Sequence, residues 1–132
     1  MPPRKRSVRE ISHLQEPRLS REQYAHFREG IDLLNRGKYW EAHESWEDVW
    51  KTMTDRPEDD GEIILRGLIQ FTAGLHGLSV GKRQGGTSNL QKAREKLELF
   101  PGRFLGVDLN DIVSFIRKSL HTPGELPGYQ IH

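Results

Sequence analysis

Apolar residues recur along this chain at three- and four-residue intervals, the spacing that lines up one face of a helix. Tyr24, Phe27, Ile31 and Leu34 share such a face. Ser20 with Gln23 forms the capping-box pattern that opens that helix, and Asn35 with Gly37 supplies residues that tolerate its left-handed end. A second helix follows at once, with Tyr39, Ala42, Trp46, Val49, Trp50 and Met53 on its apolar face. Glu62 to Val80 is apolar nearly all round, which in a water-soluble chain marks the buried centre of a bundle. Leu90, Ala93, Leu97 and Phe100 give a fourth helix, and Pro101-Gly102 closes it. Asp108 caps a fifth, whose Ile112, Phe115, Ile116 and Leu120 turn inward. Period-two alternation is nowhere sustained. The pattern predicts an all-α fold, a compact bundle of about five helices around a central helix.

That central helix carries a stripe of glycines, Gly67, Gly74, Gly77 and Gly81, aligned with Gln70. Each internal glycine costs roughly 1 kcal/mol relative to alanine, so a stripe of them points to another backbone or a ligand at close range, with close helix packing the preferred reading. Gly81–Gly86 reads as a basic glycine-rich loop before the fourth helix, with Ser88 and Gln91 as a second capping box. Such a loop can hold an anion, although it lacks the residue order of a phosphate loop. The first two helices resemble one tetratricopeptide hairpin through Gly30, Ala42 and Trp46. One repeat length later Ile64 and His76 occupy the small-residue positions, so no solenoid of that kind is expected.

Residues 1–19 and 122–132 carry no apolar stripe and read as a basic arm and a tail around a helical domain at 20–121. Residues 1–21 hold six basic side chains against two acidic, a net +4 on a chain whose overall charge is +1. No aromatic residue interleaves those charges, so a solvated tail is preferred to a nucleic-acid contact through the arm. There is no cysteine, which suits a reducing cytoplasm and leaves no thiolate for a metal. No apolar run is long enough to cross a bilayer. A homo-oligomer stays open as a partner.

The chemistry concentrates on the second helix. His43 lies at the edge of its apolar face with Glu47 one turn on, and Glu44 and Asp48 point toward water. A histidine–carboxylate pair on such a boundary is where protonation is most easily tuned. His43-Glu44-x-x-Glu47 is one residue away from the His-Glu-x-x-His zinc signature. His43 and Glu47 could bind one divalent metal such as zinc, with Glu44 as general base and His76 or His26 as a third ligand. Trp50 and Gln70 join His43 and Glu47 as candidate binding residues.

Gly37-Lys-Tyr-Trp-Glu-Ala-His-Glu-Ser-Trp-Glu-Asp-Val-Trp50, Gly67-Leu-Ile-Gln70, His76 and Gly81–Gly86 together resemble the small all-helical proteins of domain-of-unknown-function family 309. The resemblance spans residues 24–100 and implies a helical fold without an assigned activity. Three readings compete. In the first, His43, Glu47 and Gln70 form a structural hydrogen-bond network at the edge of a pocket. In the second, His43 and Glu47 are the ligands of a metal-binding protein or metal-dependent hydrolase. In the third the chain is an interaction or scaffold protein using its helical surface or basic arm.

Overall fold

Five helices and one minimal β-hairpin follow one another in the computed structural model, which describes residues 19–53, 60–100, 102–121 and 131. They are α1 (Arg21–Asn35), α2 (Tyr39–Lys51), α3 (Asp60–Ser79), α4 (Arg83–Leu97), β1 (Arg103–Phe104), β2 (Val107–Asp108) and α5 (Leu109–His121). The predicted all-α bundle is what forms. Residues 1–18, 54–59, 101, 122–130 and 132 lie outside the described residues, and with them most of the arm read at 1–19 and of the tail read at 122–132.

Ser20 caps α1 as its sequence predicts: its hydroxyl accepts from the Gln23 N–H, and the Gln23 side chain accepts from the Ser20 N–H at 2.8 Å. Phe27, Ile31 and Leu34 are buried on the expected face, but Tyr24, one turn from the helix start, is 44% exposed. The helix ends when Gly37 takes φ +78. The Lys38 N–H then reaches back to the Leu33 carbonyl at 2.9 Å, and the Gly37 N–H bonds that of Leu34. This is a Schellman turn, which satisfies carbonyls that the helix end would leave open.

α3 closes in the same way. Gly81 takes φ +83, and the Lys82 N–H bonds the Gly77 carbonyl at 2.8 Å. The two hairpins match residue for residue at one constant offset: Phe27, Gly30, Leu34, Gly37 and Lys38 in the first correspond to Phe71, Gly74, Leu78, Gly81 and Lys82 in the second. The offset is longer than a tetratricopeptide repeat, so that repeat length conceals the correspondence.

The glycine stripe faces α4. A side chain added at Gly67 would meet Leu97 and Lys96, at Gly74 it would meet Leu90 and the Gly86 carbonyl, and at Gly77 it would meet the Gly86 backbone at 3.0 Å. Only this contact explains where α4 begins. The sequence places Gly81–Gly86 in a loop capped by Ser88, whereas the helix starts at Arg83 and runs through both glycines. Gly86 is held in helical form because α3 lies against it, so packing overrides its poor propensity. α4 has no side-chain cap at Lys82, and Ser88 sits inside the helix.

Trp46, Phe27, Phe71, Leu65, Leu68, Leu75 and Leu90 form the centre of one core, with α3 in the middle. Leu105 and Gly106, both at positive φ, turn β1 back on β2, which pairs Phe104 with Val107. Two-residue strands are too short to show a period in sequence. Ile131, at the far end of the segment read as a tail, is buried in the core cluster. No helix among the described residues is long and apolar enough to cross a membrane.

Candidate functional site

α2 and α3 lie antiparallel, so residues early in α2 meet residues late in α3. His43 Nε2 stands 3.0 Å from Glu47 Oε2, the one-turn pair that the sequence predicts. Its other ring nitrogen, Nδ1, lies 3.2 Å from the backbone carbonyl of Ile69. A carbonyl oxygen only accepts, so Nδ1 is the donor of that hydrogen bond. Glu47 also draws Lys51 to 3.5 Å. The His43 side chain is 15% exposed and that of Glu47 37%, so the pair sits at the margin of the core.

Trp40 covers His43. Its ring stacks on His43 at 4.8 Å and 10°, and it meets His76 at 5.2 Å and 46°. Trp40 is nonetheless 45% exposed. His43 and His76 therefore both pack on one indole. Glu44 is exposed on α2. His26 belongs to α1, where its ring lies 3.7 Å from Glu29 and its carbonyl accepts from Ser45.

Gln70 takes a different partner from the one the sequence suggests. Instead of joining His43 and Glu47, its side-chain oxygen accepts from Lys96 Nζ of α4 at 2.8 Å, and the Ile69 carbonyl takes its place beside His43. The reason is rotation about α3: one residue moves the side chain about 100° round the helix, away from α2 and toward α4. Trp50 also turns elsewhere, donating its indole N–H to Glu62 at 3.0 Å. Glu62 is 5% exposed and bonds Arg66 at 3.1 Å. Burial, followed by the nearby charge of Arg66, holds the Lys96 ammonium below the ordinary lysine value. Burial also pushes the Tyr39 phenol up.

Polar and aromatic side chains of α2, α3 and α4 thus fall into two groups. One is His43, Glu47, Trp40 and His76; the other is Trp50, Glu62, Arg66, Gln70 and Lys96. Motif spacing does not single out Glu62, though a carboxylate inside an otherwise apolar helix signals a buried, paired charge. Among the described residues no three His, Asp or Glu side chains converge on a point that could hold a metal ion. A shallow open depression is lined by Arg83, Gln84, Thr87, Ser88 and Gln91, all from α4, and includes none of the candidate residues.

Residues 27–89 match the family model described as Domain of unknown function (DUF309). The match runs from the middle of α1 into α4 and takes in the residues of both polar groups except Lys96. The chain is also similar to an uncharacterized protein of Aquifex aeolicus (strain VF5), 28% identical over 88 residues. That alignment takes in 67% of this chain and 26% of the relative, so the chain spans about a quarter of the relative's length. Over residues 27–89 the chain is thus similar to domain-of-unknown-function family 309.

Proposed function

We propose that the His43–Glu47 pair is a structural clamp on the α2–α3 seam, and that the chain works as a helical interaction module presenting Trp40. The observation that carries this reading is the state of Trp40: 45% exposed, yet stacked flat on a histidine whose two nitrogens are both engaged. A large aromatic that is held in place while facing water has little freedom left to lose on binding. Tryptophan anchors of this sort dominate many protein interfaces. His76 supports the ring from α3, so the anchor draws on both hairpins.

The metal-dependent reading, with His43, Glu47 and His76 as ligands and Glu44 as base, makes heavier demands. His43 would have to give up either Glu47 or the Ile69 carbonyl, and His76 would have to leave the Trp40 ring. Zinc titration of the purified chain, followed by calorimetry, tests it directly. Saturable binding lost in His43→Ala would restore it.

Photocrosslinking in the cells that make the protein tests the interaction module. A crosslinking residue at position 40 should give a discrete adduct with one partner, and the same residue at Tyr24, an equally exposed aromatic position, should not. Adducts from both positions alike, or from neither, would overturn the proposal.

A further inference from the structure

A lysine near the surface ordinarily faces a carboxylate or open water. Lys96, near the end of α4, is placed otherwise. Its stem starts against the bare backbone of α3 at Gly67, where an added Cβ would come within 3.2 Å of the Lys96 Cβ. Its tip reaches Gln70, about one turn further along α3, and Nζ donates to the carboxamide oxygen at 2.8 Å. The side chain that Gly67 lacks is what lets the lysine lie along α3.

The surroundings act on the amine in one direction. Lys96 is half-buried, which takes water from the charged form. Its hydrogen-bond partner is a neutral amide, which offsets less of that loss than a carboxylate would. Among the described residues no carboxylate stands within ion-pair distance of Nζ. Burial holds the ammonium below the ordinary lysine value and the Arg66 charge adds to it; Glu95, Lys92 and Glu62 act more weakly, the two carboxylates in the opposite sense. Only the neutral amine is a nucleophile, and desolvation beside another cation is how that form of a lysine is favoured.

The product of acylation fits the same place. An acylated lysine has no charge yet keeps one N–H, which can still donate to the Gln70 oxygen. Acylation removes what the site disfavours and preserves the contact it makes.

We propose that Lys96, held by Gln70 on the α3–α4 seam, is an acyl-acceptor site for small activated acyl donors, acyl phosphates or thioesters. The neutral Nζ attacks the carbonyl carbon of the donor and a C–N bond forms. The C–O or C–S bond breaks, phosphate or thiolate leaves with the electron pair, and the surplus proton passes to water. This goes beyond the Trp40 reading and does not rest on it.

The test adds limiting acetyl phosphate, and in parallel the thioester S-acetyl-N-acetylcysteamine, to the full-length chain. Acetylation at each lysine is followed by peptide mass spectrometry. Lys92, one turn earlier on α4 and exposed, is the internal reference. Lys96 should react at least about threefold faster than Lys92, although less of it faces water. Faster reaction with one donor alone would support the site and identify the carrier. Gln70→Glu gives Nζ a carboxylate partner and should bring Lys96 down to the Lys92 rate or below it. The Lys96 rate should also reach half its plateau at a lower pH than that of free Nα-acetyl-lysine amide. Lys96 no faster than Lys92 with both donors would overturn the proposal. So would a Lys96 rate indifferent to Gln70→Glu in a chain with the wild-type circular dichroism spectrum. Should Gln70→Glu fail to fold, the pH profile of the wild-type chain decides: a midpoint no lower than that of the free lysine amide would rule the site out.

Discussion

The α1–α2 and α3–α4 hairpins share a Gly-Lys Schellman turn and a glycine where the helices cross, yet they close that crossing in different ways. In the first, the Trp46 ring lies directly over Gly30, stacks on Phe27 at 5.8 Å, and donates its indole N–H to the Phe27 carbonyl at 2.9 Å. In the second, Leu90 stands where Trp46 does, and Gly86 brings backbone against backbone. A bulky ring and a bare backbone contact are two solutions to one gap. The face of the second helix differs as well. Trp40, His43, Glu44 and Glu47 on α2 correspond to Gln84, Thr87, Ser88 and Gln91 on α4. On α2 this face meets α3 through the Ile69 carbonyl and His76. On α4 it lines the open depression. Aromatic and ionisable residues occur where a further helix docks on that face, and uncharged polar ones where the face meets water.

The largest effect should come from filling the crossings. Gly30→Leu drives a side chain into the Trp46 indole and Gly86→Leu drives one into Gly74 and Leu78, so each should cost about 3 kcal/mol by urea denaturation. At Gly85, one residue from Gly86, an added Cβ would meet nothing within 4 Å. Gly85→Ala should therefore stabilise by about 0.5–1 kcal/mol through helix propensity alone. If Gly85 and Gly86 respond alike, the backbone contact is not what shapes the second hairpin.

A smaller effect separates the two polar faces. His43→Ala removes the partner of Glu47 and of the Ile69 carbonyl and should cost about 1–2 kcal/mol, whereas Thr87→Ala at the corresponding position should stay within about 0.5 kcal/mol. The exposure of Glu47 keeps the first figure modest, because water can replace part of what the carboxylate loses. The double variant His43→Leu with Glu47→Leu should recover most of the loss. A His43→Ala chain as stable as wild type would mean that the pair clamps nothing.

The smallest effect depends on pH. Since burial lowers the Lys96 value in the folded chain, the unfolded chain binds more protons between that lowered value and the ordinary lysine range. Folding stability should gain with rising pH in that window, and Lys96→Met should remove the gain. A pH profile identical in the two proteins would show that Lys96 is as well hydrated as any surface lysine.

Local pattern sufficed for much of this protein. Phe27, Ile31, Trp46 and Val49 declare their faces by spacing, Ser20 and Gln23 declare a helix start, and Gly37 a helix end, because each of these preferences acts within one or two turns. The glycine stripe of α3 likewise announces a close neighbour. What spacing could not supply was the neighbour's identity. Gly86 became helical because Gly77 and Gly74 lie against it, and Gln70 turned to Lys96 because α4 passes on that side of α3. Asn35 found Ile131 at the other end of the chain, a pairing with no local signature. Trp40 also looks the same in sequence whether it is buried or faces water. These outcomes depend on contacts between segments far apart in the chain, where packing energies of several kcal/mol outweigh local propensities of about one.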